Sequence, residues 1–187
     1  MTAFTPPSAD AGIPSWVSLM VKMQARACVI SRITGISLAD ARRIWHAQNK
    51  RSSPSGQQPN DLSWFLKTAV RRYHSALLLM LHAQSKSRLP DYAAFAHAYY
   101  HYARIAYGEL DDATGIDPAF RPTENDYTIP FSRAHYLVTS YTDEVGLVGN
   151  RKCPLQLRRC KCCDGVYLAD ESEVERTCPI CSSKKAR

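Results

Sequence analysis

Long apolar runs are missing from this chain. The longest, Ala76–Leu81 (ALLLML), falls far short of the roughly 20 residues that a membrane-spanning helix needs, so a soluble protein with no membrane partner is expected. The opening MTAFTPPSADAGIPSW has neither the basic n-region nor the apolar h-region of a secretory signal. The expected compartment is therefore the cytoplasm, where cysteines stay reduced. Gly-x-Ser-x-Gly, His-Glu-x-x-His, a Walker loop and a Rossmann fingerprint are all absent, which removes the commonest catalytic signatures and leads to the expectation of a non-enzyme. No internal repeat and no strand–helix alternation is present, so neither a solenoid nor a parallel sheet is expected.

What is present suffices for a core. The 187 residues are 45% hydrophobic, the range of one globular domain with a small satellite. Lys and Arg number 24 against 17 Asp and Glu, a formal net charge of +7, which favours an acidic partner. The excess is uneven: residues 22–51 carry seven basic side chains against Asp40 alone, residues 85–150 carry five against nine acids, and residues 151–187 carry nine against five. Two basic ends flank an acidic middle.

Apolar spacing from Ser15 to about Thr34 (Val17, Met20, Val21, Cys28, Val29, Ile30, Ile33) predicts one amphipathic helix, stopped by Gly35. Ser37, with Asp40 three positions on, predicts a capped second helix to about Asn49. Lys50–Asp61, with two prolines and Gly56, reads as a loop; a long helix follows from Leu62 to Ser85, another after Pro90, and a last one from Ser132 to about Val148, after a proline-rich surface loop. The predicted fold class is mostly α: residues 1–14 disordered, a helical body over 15–150 with a candidate helix-turn-helix at 22–50, and a C-terminal module over 151–187. The tyrosines between Tyr92 and Tyr107 sit at helical spacing and are assigned to core or a subunit interface, with Tyr99, Tyr102 and Leu110 as interface candidates. The histidines, scattered singly along predicted helices, are read as structural.

Five of the seven cysteines lie in CKCCDGVYLADESEVERTCPIC, Cys160 to Cys181. A Cys-x-x-Cys turn places two thiolates on one edge of a tetrahedron, and two such turns close it, so Cys160, Cys163, Cys178 and Cys181 are predicted to hold one structural Zn2+ in a zinc-ribbon-like module. Gly165 is expected to supply a positive-φ turn and VYL a short strand. Four thiolates leave no open position for water, which argues against catalytic zinc, and a thioredoxin-like pair would need a βαβ setting. Cys162 is taken as a neighbour of the site, Cys153 as outside it, and Cys28 as a small core residue.

QARACVISRITGISLADARRIWHAQNKR admits two readings: a helix-turn-helix whose second helix enters a DNA groove, or a helical hairpin with a solvated basic face. Under the first, Arg42, Arg43, His46, Lys50 and Arg51 are the candidate DNA contacts, joined by Arg158, Arg159 and Lys161 from the basic C-terminal end.

Three segments together resemble a known family, the C subunit of the flagellar master transcriptional activator (FlhC). These are QARACVISRITGISLADARRIW, then RSSPSGQQPNDLSWF, where the family carries a Ser-Pro-Pro-Ser-Gly-like turn leading to Trp-Phe, and CKCCDGVYL…TCPIC, where it carries Cys-x-Cys-Cys with a second Cys-x-x-Cys. The resemblance runs from about Met20 to Cys181, and Ser53 stands where the family has the first proline of its turn. It implies a mostly helical bacterial protein with zinc on Cys160, Cys163, Cys178 and Cys181. It further implies assembly with an FlhD-type subunit into a hetero-oligomer (a heterohexamer in the family), binding of flagellar promoter DNA and recruitment of RNA polymerase. The alternative is a zinc-containing protein–protein adaptor without direct DNA binding; a metal-dependent nuclease or RNA-modifying enzyme would need a carboxylate set that the loop-bound acids do not make.

Overall fold

The computed structural model describes residues 6–8, 11–107, 128–142, 153–174 and 176–185; the surface loop from Asp111 to Asp126, Leu110 and the predicted helix beyond Thr142 lie outside these residues. The described elements are α1 (Ile13–Lys22), α2 (Ala27–Thr34), α3 (Leu38–Asn49), a 3-10 turn (Ser63–Leu66), α4 (Ala69–Lys86), α5 (Asp91–Tyr107), α6 (Phe131–Thr142), β1 (Leu155–Arg159), β2 (Val166–Asp170) and α7 (Pro179–Lys185). The chain is mostly helical, with a two-stranded hairpin near its C-terminus. Among the described residues no helix is long and apolar enough to cross a membrane.

The helix expected from Ser15 to Thr34 is two helices, and the body begins at Ile13, inside the segment expected to be disordered. Gln24 takes the left-handed conformation at φ +60°, and the Ala25 N–H turns back to the Met20 carbonyl at 3.0 Å. The Ala25 carbonyl is claimed from afar: the buried indole of Trp45, on α3, donates to it at 2.9 Å. Met23, Ala25 and Ala27 are all buried at this break, so apolar spacing passes through it unchanged. Gly35, at φ +73°, then ends α2, a conformation that only a residue without a Cβ takes at no cost. Ser37 caps α3 as expected, its hydroxyl accepting the Asp40 N–H at 3.0 Å and donating to the Asp40 carboxylate at 2.7 Å.

The loop after α3 is fastened to the start of α2. Ser53 accepts the Ala27 N–H at 2.9 Å, satisfying one donor that the helix cannot pair internally. The Arg26 guanidinium donates to the Gly56 and Gln57 carbonyls at 3.3 and 3.0 Å. The helix expected from Leu62 also divides, because Thr68 is extended (φ −134°) and its hydroxyl accepts the Arg71 N–H at 3.2 Å, capping α4. The 3-10 turn before it buries Phe65 and places the Trp64 ring 4.0 Å from the Arg71 guanidinium and 4.5 Å from that of Arg133 on α6.

α4 and α5 form an antiparallel pair at the centre of the core. Tyr99 and Tyr102, interface candidates by sequence, are instead 1% and 0% exposed within the chain's own core. Their hydroxyls explain the choice of tyrosine over phenylalanine: Tyr99 donates to the Ile129 carbonyl at 3.0 Å, and Tyr102 accepts the Ile129 N–H at 2.8 Å, pinning the strand of chain that leads into α6. β1 and β2 pair antiparallel with Leu157 opposite Leu168 and Arg159 opposite Val166. Strand alternation splits β2 between two environments: Leu168 joins the main core, while Tyr167 and Ala169 face a separate small cluster with Cys160 and Cys178.

Trp45→Phe should lower stability by about 1–3 kcal/mol in urea unfolding, the penalty for leaving the buried Ala25 carbonyl unpaired. Trp16→Phe is the control: the indole N–H of Trp16 is buried with no partner among the described residues, so its removal carries no such penalty. Equal losses in the two variants would show that the Trp45 hydrogen bond does not hold the break.

Candidate metal centre

The hairpin delivers the first pair of cysteines. β1 ends at Arg159, and the next residues turn so that the Asp164 N–H reaches the Cys160 carbonyl at 2.9 Å and the Cys160 N–H reaches the Gly165 carbonyl at 3.0 Å. The positive-φ residue of this turn is Asp164, at +60°, rather than Gly165. Aspartate tolerates that region, so the glycine is not required for it. A Cβ at Gly165 would touch Cys163 Sγ and Tyr73 Cε1 at 3.5 Å each, ordinary contact. The second pair stands at the start of α7, where Pro179 presets the first helical residue and the Ser182 N–H returns to the Cys178 carbonyl at 2.9 Å. A backbone bond from Lys161 to the Arg176 carbonyl, 3.1 Å, ties the two turns together.

The four sulfurs of Cys160, Cys163, Cys178 and Cys181 lie within 4.8 Å of one another. Cys163 and Cys178 are 3.8 Å apart. That is about the edge of a tetrahedron with metal–sulfur bonds of about 2.3 Å, and well beyond a disulfide's roughly 2.05 Å. Backbone donors point at the sulfurs: Cys178 N–H to Cys160 Sγ at 3.2 Å, Cys162 N–H to the same sulfur at 3.4 Å, and Cys181 N–H to Cys178 Sγ at 3.4 Å.

These bonds grade the thiols. The Cys178 N–H, with smaller help from Cys163 and Cys162, draws the Cys160 thiol down to about 6. Burial opposes ionisation of Cys178, but the Tyr73 hydroxyl and the Cys181 N–H outweigh it and the thiol is lowered. Cys181 is held up, chiefly by its bonds to the Cys178 and Cys163 sulfurs. Four negative sulfurs this close cannot coexist without a cation, so an ion that binds here displaces the remaining thiol protons. A closed set of four thiolates fits a soft or borderline tetrahedral ion in a structural role.

The cluster is not a free-standing tail. Tyr73 of α4 packs against it and donates its hydroxyl to Cys178, and burial followed by that contact keeps the phenol protonated. One residue earlier, Arg72 forms a partly buried ion pair with Glu173 at 2.8 Å. The Arg158 guanidinium donates to the Glu173 carbonyl and, at 3.3 Å, to that of Glu171, so it closes the excursion between the two cysteine pairs. Sequence reasoning missed Tyr73, Arg72 and Glu173; their partners are far along the chain and no local spacing marks them.

The remaining predicted residues fall in distinct places. Cys162 is exposed beside the site and Cys153 half-buried, its thiol raised by burial. Cys28 is exposed rather than in the core, with Gln58 donating to its sulfur at 3.1 Å, because the break before α2 resets the phase of that helix. Arg42, Arg43, His46, Lys50 and Arg51 are all exposed on or just beyond α3. Arg43 pairs with Asp40 at 2.7 Å, and Arg51 lies over the Trp45 ring at 5.5 Å. Arg159 is exposed and paired with Asp164, and Lys161 is exposed between the first two cysteines. The candidate contacts thus stand on two different elements, the α3 helix and the hairpin that carries the first cysteine pair. No family model matches the chain, and no curated protein matches it.

Changing any one of Cys160, Cys163, Cys178 or Cys181 to Ser should remove one metal equivalent per chain and open the C-terminal module to proteolysis while the helical body keeps its circular dichroism. Cys162→Ser, Cys153→Ser and Cys28→Ser should retain the metal. Elemental analysis across the seven single variants decides; retention in Cys163→Ser with loss in Cys162→Ser would reassign the ligand.

Proposed function

We propose that this chain is the DNA-binding subunit of a bacterial transcriptional activator of the FlhC kind. It works in the cytoplasm as a hetero-oligomer with an FlhD-type subunit, binds flagellar promoter DNA and recruits RNA polymerase. Cys160, Cys163, Cys178 and Cys181 hold one Zn2+, whose role is to fold the C-terminal module; a four-thiolate site leaves no position for a substrate, and no catalytic role is assigned.

The observation that carries this reading is the division of α3. Ala41 and Trp45 are buried against the body, while Arg42, Arg43, His46 and Lys50 stand exposed, at the end of a helix joined to α2 through the Gly35 turn. A surface pair such as Arg43–Asp40 is worth at most about 1 kcal/mol and yields readily to a phosphate. The three segments that resemble the family include α3 and both cysteine pairs, and the net charge of +7 suits a polyanion.

A second reading has its own support. Arg158 is engaged by backbone carbonyls within the module, while Val174 is 92% exposed and Ile180 43% exposed. These exposed apolar side chains suit a protein partner more than a phosphate backbone, which favours a zinc-containing protein–protein adaptor without direct DNA binding as the alternative.

Fluorescence anisotropy with a flagellar promoter duplex, with and without the FlhD-type subunit, tests the proposal. Arg42→Ala with Arg43→Ala should flatten the slope of log K against log salt by up to about 2 if both touch phosphate. Loss of a guanine contact would instead relax one base preference by about 1–3 kcal/mol. An unchanged slope and unchanged preference in the folded double variant would remove α3 from the DNA surface. Binding to a protein partner that is lost in Val174→Asp with Ile180→Asp, at constant salt slope, would assign the module to the adaptor role.

A further inference from the structure

The histidines are not all isolated. His97 and His101 stand one turn apart on α5, both partly exposed, with their Nε2 atoms 3.2 Å from each other and ring centroids at 4.4 Å. Two imidazoles bound to one tetrahedral ion through bonds of about 2.0–2.1 Å have their nitrogens about 3.3–3.4 Å apart, so this pair is already close to chelating geometry.

The far side of His97 is held as well. Its Nδ1 lies 3.0 Å from the hydroxyl of Ser85 on α4, and that hydroxyl is 2.9 Å from the Leu81 carbonyl. A carbonyl can only accept, so the single hydroxyl proton of Ser85 goes to Leu81, and Ser85 must accept from His97. The Nδ1 of His97 therefore carries the proton, and its Nε2 lone pair is directed at His101. An outer hydrogen bond that fixes tautomer and ring orientation is the usual support of a metal-ligating histidine. In the metal-free protein His101 Nε2–H donates to His97; binding an ion requires only that this proton leave or move to Nδ1 of the same ring. Burial, and then His101, keep His97 in its neutral form, and burial, and then Arg104, do the same for His101. The Arg104 charge opposes a dication, but that side chain is exposed, which weakens its field.

We propose that His97 and His101 form a second metal site, an open bidentate imidazole site on α5 for a borderline divalent cation such as Zn2+ or Ni2+, separate from the closed cysteine centre and with its remaining positions filled by water. Unlike four thiolates, such a site exchanges its ion and can accept a further ligand.

The test uses the zinc-loaded full chain carrying Cys28→Ser and Cys162→Ser, so that exposed thiols do not compete, with Ni2+ as the probe in equilibrium dialysis. One Ni2+ per chain should bind beyond the resident zinc. His101→Ala and His101→Gln should each weaken it at least tenfold, glutamine because it keeps a donor for His97 but offers no imidazole. Ser85→Ala should weaken it by about tenfold through the lost orientation of His97. Imidazole nitrogen resonances in the presence of added Zn2+ should show both Nε2 atoms shifted, with Nδ1 of His97 still protonated. Absence of a second ion, or uptake undiminished in folded His101→Gln, would overturn the proposal.

Discussion

Helix α4 has to satisfy two bodies at once. Its Leu78 and Leu79 are buried in the helical core, while Arg72 and Tyr73 in its first turns reach the cysteine module. Eighteen residues of helix make a rod of about 27 Å, stiff enough that the placement of the module follows from how α4 lies on α5. The 3-10 turn, α6 through Arg133 and Trp64, and the hairpin through Leu168 all settle against this rod or the core it builds. The module's own buried set, Cys160, Tyr167, Ala169 and Cys178, is too small to order a segment by hydrophobic burial alone. It rests on α4 on one side and on the thiolate cluster on the other.

The cluster was the most legible feature, because two Cys-x-x-Cys turns encode a tetrahedron locally and need no knowledge of the rest of the chain. The Ser37–Asp40 cap and the Gly35 stop were legible for the same reason: each is settled within four residues. What periodicity could not show were the breaks. At residues 23–26 the apolar pattern continues through a turn that owes its stability to Trp45, twenty positions on. Cys28 was misplaced as a direct result, since a helix restarted at Ala27 has a different inward face from one running on from Ser15. The break at Thr68 had a local signal, a threonine able to cap, which the apolar spacing on both sides overrode. Read as scattered singly, the histidines nonetheless include His97 and His101, four apart in sequence, and the hydrogen bond from His97 to Ser85 depends on how α4 and α5 cross.

Charge is handled differently at the two basic ends. In the C-terminal module Arg158 is held on backbone carbonyls and Arg159 beside Asp164, while Arg72 of α4 pairs with Glu173. On α3 the cations point outward, and only Arg43 has an acidic partner among the described residues of that face. Two basic stretches of sequence thus meet different ends: internal contacts for Arg158 and Arg159 in one, and a solvent-facing set of cations on α3 in the other.

The anchoring of α3 through Ala41, Ile44 and the Trp45 indole bears on how such a chain diverges between lineages. Most of the helix makes no demand on the core, so its outward residues can be exchanged in succession without crossing a stability threshold, provided Trp45 keeps its hold on Ala25. Drift would then accumulate fastest on the surface that meets other molecules and slowest in the few buried anchors. A scaffold arranged in this way can keep its shape through long periods of change while its outward helix becomes hard to match by sequence.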